Sequence, residues 1–467
     1  MNYYREYSYP QIRLVLPKSV ETLLNTLHEN GYEAFVVGGC VRDKLLQVYY
    51  PHIAKEPHDW DITTSATPDE VIALFKNTIN NAKQYGTISI IADDGEIYEV
   101  TTYREDVGYS NHRQPDEIKF ATSLVTDCKR RDFTINSLAY SHETGLVDIC
   151  NGLDDIFAGT IRCVGNADER FEEDALRILR AIRFSSTFDF NISGSTNVAI
   201  SNNLDLLDYV SAERKFMELY KLSETPFMAE KLNAYKKVLF KVIPELEPCD
   251  GFNQHNPHHD KDVLTHIFET VRNARLHKAS PEVTIAALLH DIGKPNTFVM
   301  DEVGHFRMHA VESEKMTREI LSRFNCSNDM KDEICFLVRN HDVDLPQDEK
   351  QARRFLGKYT KKQIDDLCLL HLCDTFAHSV MNVRIYGPAF QQAIRMLEET
   401  EAKMKKENAA LKLKDLNVDG HYILSLGLRG PEVGKVLNQL LDEVIDGSLE
   451  NERIALCARA GVIAHNM

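Results

Sequence analysis

Apolar positions recur at two periods along this chain, and the change from one to the other divides it. Val20, Leu23, Leu24 and Leu27 lie at helical spacing and stop at Asn30-Gly31, which predicts an amphipathic helix with a glycine stop. The run Ala34-Phe35-Val36-Val37 reads as a buried strand that breaks at Gly38-Gly39 and restarts as a helix at Val41-Arg42-Asp43. Ser65-Ala66-Thr67-Pro68-Asp69-Glu70 has the cap, first-turn proline and early acids of a further helix. Residues 87–91 and 97–104 alternate at the strand period, and Asp93-Asp94-Gly95 between them predicts a hairpin. A polar stretch, 105–117, reads as a mobile loop. Ile135, Leu138 and Ala139 bury the segment after Lys129-Arg130-Arg131, and residues 147–155 close the first domain as a strand and turn. Helical spacing then takes over: one helix over 172–184, the apolar helix around Ala286-Ala287-Leu288-Leu289, a charged helix after about 385, and an apolar-patterned tail with Gly427, Gly430-Pro431 and Gly434. No internal repeat and no low-complexity segment interrupts the order.

Composition narrows the class. The 467 residues suffice for three or four domains of ordinary size. A 43% hydrophobic and 27% charged make-up is that of a soluble globular protein. No apolar run approaches the ~18 residues of a membrane helix, and MNYYREYSYPQIRL has no signal-peptide core, so a cytoplasmic protein is expected. The ten cysteines lack CxxC pairing and read as reduced thiols. A net charge of −17 argues against non-specific nucleic-acid binding over the whole surface, though it leaves room for a local basic track.

Certain residues bring chemistry to this frame. Two glycines at 38–39 let a backbone approach a ligand, and the helix behind them offers unpaired N–H groups to an anion. In Asp59-Trp60-Asp61 the carboxylates are two apart and would share one face of a strand, which suits Mg²⁺ ions and a triphosphate. Glu99 could join that face. Lys129-Arg130-Arg131 precedes Asp132 and Asn136 at the edge of a buried segment, a place where charges meet ligands. In the 172–184 segment Asp174, Arg177, Arg180 and Arg183 recur every three residues. Such a row is ordinarily a salt-bridged solvent face, but three arginines exceed what one Asp needs, and an anionic ligand is favoured. Histidines concentrate beyond about 255. His266, His290-Asp291 and Asp374 place ligands for a hard or borderline metal on separate helices.

Together these residues resemble the class II tRNA nucleotidyltransferase and poly(A) polymerase family, in the bacterial CCA-adding form that carries an HD domain. The resemblance runs from about residue 17 to the end. It rests on Gly-Gly-Cys-Val-Arg-Asp at 38–43, Asp59-x-Asp61, Arg130-Arg131-Asp132-x-x-x-Asn136, Glu173-Asp174-x-x-Arg177, Glu213-Arg214 with Glu218, and the HD set His266, His290-Asp291 and Asp374. Two departures stand out: Leu45-Leu46-Gln47 replaces the usual Leu-Gly turn before a longer link to Asp59, and Arg113-Gln114-Pro115 lies where a second arginine is common. The resemblance implies an α+β chain. A small nucleotidyltransferase head with a mixed, mostly antiparallel sheet (17–165) would be followed by an all-helical neck (166–250), an HD bundle (251–385) and a helical, RNA-binding tail (386–467).

It also implies roles. Asp59 and Asp61 would hold two Mg²⁺ ions, with Glu99 as a third carboxylate. Gly39 and Arg42 would hold the triphosphate, and Arg131, Arg180 and Arg183 would contact phosphates and the base edge. Asp132, Asn136 and Glu173, which stand in the same motifs, are further candidates at that site. Adenine and cytosine each show an amine beside a ring-nitrogen acceptor, so an Asp174 carboxylate with an Arg177 guanidinium would select ATP and CTP and reject GTP and UTP. The tRNA would lie along a basic track including Lys129, Arg130, Lys403, Lys405, Lys406, Lys412 and Lys414. The HD residues would bind a divalent transition metal, with His309 and His341 as further ligands, and would supply a phosphohydrolase acting on damaged 3′ ends. The rivals are a poly(A) polymerase, an enzyme adding only C or only A, and an HD phosphohydrolase whose N-terminal half merely binds RNA.

Overall fold

The computed structural model describes residues 5–109, 116–121, 123–255, 260–378, 380–407 and 410–466. Arg113, and His258 and His259 of the histidine-rich stretch, lie outside the described residues. The chain divides into two compact units, one holding 1–244 with 323–325 and the other 245–322 with 326–467.

The first unit is built on an eight-stranded sheet. Its strands are β1 (Ser8–Tyr9), β2 (Ala34–Val37), β3 (Ile62–Thr64), β4 (Thr78–Ile79), β5 (Thr87–Ile91), β6 (Ile97–Thr102), and then, after the separate hairpin β7 (Arg104–Val107) and β8 (Glu117–Phe120), β9 (Ala139–Ser141) and β10 (Gly145–Val147). The order across the sheet is β1-β10-β9-β2-β3-β6-β5-β4. Only β3 and β6 run parallel, with Ile62 opposite Val100, so the sheet is mixed and mostly antiparallel. Phe35, Val37, Tyr103, Leu124, Cys128, Ala139 and Val147 form a buried cluster against it.

Helices α1 (Lys18–Glu29), α2 (Gly39–Tyr49), α3 (Pro68–Leu74), α4 (Leu124–Lys129) and α5 (Gly152–Phe157) flank the strands. Thr67 and Glu70 form the capping box that starts α3, as Thr-Pro-Asp-Glu foretells. Past a small parallel pair, β11 (Thr160–Ile161) with β12 (Asn191–Ile192), the unit is helical: α6 (Ala167–Glu173), α7 (Leu176–Phe188), α8 (Gly194–Asn202), α9 (Ala212–Ser223), α10 (Met228–Ala234) and α11 (Lys236–Val242).

Four local expectations are corrected. Asp59-Trp60-Asp61 is not in a strand but in an irregular segment leading into β3, tied to the sheet by the Val37 amide donating to the Asp61 carbonyl at 2.9 Å. The single helix over 172–184 is two, because Asp174 is extended (φ −152°, ψ 100°) and its carboxylate accepts from the Leu176 amide at 3.1 Å. A side chain that caps the next helix competes with helix continuation at its own position. The strand expected over 97–104 ends at Thr102, and fully buried Tyr103 separates it from β7. The arms of the supposed loop over 105–117 pair as β7 and β8.

The second unit is helical, with one short hairpin, β13 (Val299–Met300) and β14 (Gly304–His305). Its first helices are α12 (Val263–Leu276), α13 (Pro281–Leu289), α14 (Lys294–Thr297), α15 (His309–Arg323) and α16 (Asn328–Asn340). Beyond them lie α17 (Glu349–Lys358), α18 (Lys361–Ala377), α19 (Val380–Lys406), α20 (Gly420–Ser425), α21 (Pro431–Ile445) and α22 (Arg453–His465). Ser280 caps α13 and Pro281 opens it. All seven residues from Val283 to Leu289 are buried, so α13 is a central helix that must end on His290 and Asp291 inside the bundle.

Candidate active site and metal centre

In the first unit the β2–α2 turn, the segment 57–61, residues 130–136, α7 and Arg214 of α9 enclose a cavity of about 660 Å³. Gly38 turns the chain with φ 86° and ψ −130°, and a Cβ there would stand 3.3 Å from an Arg131 nitrogen. The positive φ calls for glycine, and the arginine nitrogen makes a side chain there tighter still. Helix α2 then begins at Gly39, with its first amides facing the cavity rim. The longer link before Asp59 is fastened to α2 by the Lys44–Glu56 pair and by Gln47 donating to Glu56 at 2.6 Å.

Asp59 and Asp61 both line this cavity. The Asp61 carboxylate opens to solvent in the cleft, yet the surrounding protein still disfavours its charge and raises its pKa. Arg131 opposes that rise, while Glu99 and Asp59 add to it. A carboxylate whose pKa is raised by neighbouring acids is poised for a cation. Glu99 itself is exposed on β6, opposite Ser89, outside the cavity lining.

A chain of ion pairs fixes the arginines. Buried Asp127 accepts from Arg130 at 2.9 and 2.7 Å and from Arg131 at 3.0 Å. Burial alone would raise the Asp127 carboxyl, but Arg131 and Arg130 outweigh it and hold it below the usual range. Asp132 is likewise opposed by burial, yet Arg180 and Arg177, with a hydrogen bond from Asn136, hold it down at about 2. Arg180 donates to Asp132 at 2.8 and 2.6 Å, and Asn136 donates to it at 3.1 Å while accepting from Arg42 at 2.5 Å. Arg42 lies over the Phe184 and Phe188 rings, 5.2 and 4.9 Å from their centroids. Its direction is therefore set from both sides.

Asp174 and Arg177 line the same cavity but do not pair through their side chains. Arg177 pairs with Glu173 and donates to the carbonyls of Arg170 and Arg130 at 3.0 and 3.3 Å. Asp174 is gripped by Arg214. Glu173 thus supports Arg177 from behind the lining. Arg183 is not brought to the cavity: it donates to buried Glu218 at 2.7 Å and packs on Phe184, 4.3 Å from the ring centroid. Pairing within α7 and α9 uses the third arginine of the row. Arg214 and Phe184 are the site residues the pattern missed as such. Arg214 stands in the quoted Glu213-Arg214 pair, which assigns it no role, and Phe184 lies one turn after Arg180 on the same helix face.

The second unit collects the histidines. His266 (α12) lies 2.8 Å from Asp374 (α18) and 3.3 Å from Asp291, while His290 lies 3.2 and 3.5 Å from Asp291 and Asp374. His309 and His341 approach the other Asp291 oxygen at 3.4 and 3.6 Å. Nδ1 of His290, His309 and His341 each faces a backbone carbonyl at 2.8–2.9 Å. Those carbonyls can only accept, so Nδ1 carries a proton, and Nε2 is the nitrogen that each ring turns to the cluster. His378, also near Asp374, was not singled out beforehand. Burial drives His266 down to about 4, and although it also opposes charge on Asp374, His266 and His290 hold that carboxyl well below the ordinary range. This donor set of imidazoles and carboxylates on converging helices fits a divalent metal.

The expected basic track is uneven. Arg130 is held by Asp127, Lys403 by Glu349 at 2.7 Å and Lys405 by Glu401 at 2.7 Å, whereas Lys129, Lys406, Lys412 and Lys414 are exposed. No helix among the described residues is long and apolar enough to cross a membrane.

Comparison with known proteins follows the same division. A family model described as the poly A polymerase head domain matches residues 34–162, and an HD domain model matches 263–378. A CCA-adding enzyme of Lactobacillus johnsonii is 33% identical over 93% of this chain and 94% of its own. One of Staphylococcus saprophyticus is 30% identical over 93% and 95%. The crystal structure of the Bacillus stearothermophilus CCA-adding enzyme in complex with CTP superposes with a TM-score of 0.72, at 25% identity over 97% of this chain and 99% of that one. The Thermotoga maritima enzyme complexed with tRNA shares the fold, with a TM-score of 0.57 at 19% identity over 97% of each chain.

Proposed function

The chain belongs to the CCA-adding enzymes, and from that premise we propose how its own residues carry out tRNA nucleotidyl transfer from CTP and ATP. The observation that carries the reading is the single cavity holding Asp59, Asp61, Gly39, Arg42, Asp174 and Arg177. Relatives and solved structures named for CCA addition match nearly the whole chain, which disfavours a poly(A) polymerase or an HD protein with a mere RNA-binding half.

Asp59 and Asp61 would hold Mg²⁺, with Glu99 adding charge behind Asp61. Bound there, Mg²⁺ supplies a lowered pKa for the attacking tRNA 3′-hydroxyl and neutralises the departing pyrophosphate. The amides of α2 with Arg42, Arg131 and Arg180 receive the triphosphate, held in place by Asp127, Asp132 and Asn136. Asp174 accepts from the exocyclic amine of cytosine or adenine, and Arg177 donates to the ring nitrogen. GTP and UTP would set a donor against Arg177 and a carbonyl against Asp174, leaving buried groups unpaired. The protein thereby replaces a nucleic-acid template. Ten free cysteines support a reducing, cytoplasmic setting.

The test is stepwise extension of a tRNA lacking its 3′ end. Two additions with CTP alone, and a third only when ATP is also present, are expected. Addition of C only or A only, or unlimited A, would replace this reading with one of its rivals.

A second activity is favoured by the imidazole cluster: metal-dependent hydrolysis of 2′,3′-cyclic or 2′-phosphate ends before CCA addition. Hydrolysis of 2′,3′-cyclic AMP that is lost in His290→Ala supports it. A metal-free, inactive HD unit leaves that segment structural.

A further inference from the structure

The longer link between α2 and Asp59, residues 50–58, is built rather than slack. The Ile53 and Ala54 amides donate to the Tyr50 carbonyl at 3.0 and 3.1 Å. The Tyr50 hydroxyl donates to the Phe157 carbonyl at 3.2 Å, and its ring packs on Phe190 with 5.4 Å between centroids. The chain then turns back along α2, where Gln47 donates to the Lys55 carbonyl at 3.3 Å. Lys55, Glu56, Pro57 and His58 thereby form one wall of the nucleotide cavity and run straight into Asp59. Glu56 holds Lys44, whereas exposed Lys55 forms no ion pair among the described residues. At the far end of α2, Tyr49 and Phe157 meet edge to face with 4.5 Å between centroids. They stay 39% and 49% exposed, and Val48 beside Tyr49 is 66% exposed. Single apolar residues on a surface are ordinary, but a paired and uncovered aromatic face marks a contact.

We propose that this link, with Tyr49 and Phe157, seats the unpaired 3′ end of the tRNA. Lys55 meets a backbone phosphate at the cavity mouth, and the two rings stack a base farther back. The seat rests on the reading of the chain as a tRNA nucleotidyltransferase and adds the surface that holds the growing strand. The triphosphate and its base occupy Gly39, Arg42, Arg131, Asp174 and Arg177, and in-line displacement brings the attacking hydroxyl from the side away from the leaving pyrophosphate. The wall over 55–58 makes no call on the nucleotide and adjoins the metal carboxylates, so it is where the strand enters. From Gly39 to Tyr49 helix α2 rises about 15 Å. At more than the ~3.4 Å per nucleotide of a duplex strand, about three unpaired nucleotides cover that span. A cation beside exposed rings is the chemistry of single-strand binding, which accepts any base because each has a π-face. That tolerance suits an end whose last nucleotide changes at every addition.

The experiment follows addition by the full chain to tRNA lacking CCA and to tRNA already ending in CC. Tyr49→Ala with Phe157→Ala should raise KM for the CC-ending tRNA about tenfold, leave kcat and KM for ATP nearly unchanged, and affect the first addition less. Tyr49→Phe keeps the ring and should match wild type. Lys55→Ala should flatten the dependence of log kcat/KM for tRNA on log salt by about 0.7, the share of one single-strand phosphate, and Lys55→Arg should restore it. In unaltered protein, 4-thiouridine placed just before the two C residues should crosslink to Tyr49 or Phe157, which decides the matter even should the double variant fail to fold. Unchanged KM for the CC-ending tRNA, or crosslinks confined to other residues, overturns the seat and spares the nucleotidyltransferase reading. A raised KM for ATP in place of tRNA assigns the wall to the nucleotide and also overturns the seat. Self-association that is lost in the ring variant, with tRNA kinetics unchanged, makes the rings a contact between copies of the chain instead. Failure of unaltered protein to extend either tRNA overturns both readings.

Discussion

Arg214 grips both carboxylate oxygens of Asp174, with Nη1 3.1 Å from Oδ1 and Nη2 2.7 Å from Oδ2, across 40 positions of sequence. The same Oδ1 accepts from the Leu176 amide at the start of α7. The carboxylate assigned to read the nucleobase is thus fixed from α9 and α7 together, and Arg177 is fixed separately by Glu173. On the proposed roles, reading and positioning would belong to different residues, which variants can separate.

Asp174→Ala removes the acceptor that distinguishes an amine from a carbonyl. A site built to hydrogen-bond discriminates by up to ~10⁴-fold, so the preference for CTP over UTP should drop by about two orders of magnitude. Single-nucleotide extension measuring kcat/KM for each triphosphate decides it. A variant that is slower but equally selective would move base reading elsewhere.

Arg214→Ala keeps the acceptor and removes its clamp. A displaced reading group costs orientation for both correct substrates, so kcat/KM for CTP and for ATP should each fall about 10–100-fold. Preference over UTP should be largely retained. Arg214→Lys, unable to fork, should recover only part. Loss of preference equal to that of Asp174→Ala would make Arg214 a reader in its own right.

Sequence pattern went furthest where a single segment carries both the fold and the chemistry. Gly38-Gly39 announces turn and helix together, and the all-apolar α13 announces a buried end at His290-Asp291. It fell short where partners come from far along the chain. Asp174 looked helical because its neighbours are helix formers, but its carboxylate is worth more as a cap and as the partner of Arg214. Arg183 looked like Arg180, yet only contact between α7 and α9 decides that one meets Glu218 and the other Asp132. His309 and His341 were legible as histidines, but their common carboxylate oxygen is a property of the packed helices.

Asp132 links titration to stability. Its carboxyl is held at about 2, below the unfolded value of about 3.9. The ionised form thus stabilises the unit at pH above about 4, and this contribution is lost as pH falls towards 2. Asp132→Asn, which also deprives Arg180 of its partner, should cost on the order of 2 kcal/mol at pH 7. Urea denaturation of both proteins should show that gap narrowing as pH drops below about 4. A gap independent of pH would mean that shape and not charge holds this position.

Asp61 runs the other way. The protein around this open carboxylate disfavours its charge, and Glu99 and Asp59 add to that, so its pKa is raised despite Arg131. A raised carboxyl costs the folded state stability at pH above the folded pKa, and the cost disappears once pH is below the unfolded value. Asp61→Asn should therefore melt higher than the wild type at pH 7, by about 1–2 °C once solvent screening of an open side chain is allowed for. The advantage should fade on acidification. Nucleotide addition by the same variant should fall at least ~10³-fold, because one of two metal carboxylates is gone. Mg²⁺ relieves the same repulsion and should raise the melting temperature of the wild type more than that of Asp61→Asn. Scanning calorimetry at two pH values, with and without Mg²⁺, gives all three comparisons. If Asp61→Asn melts lower, or Mg²⁺ stabilises both proteins alike, the strained carboxylate is not the place where the cation acts.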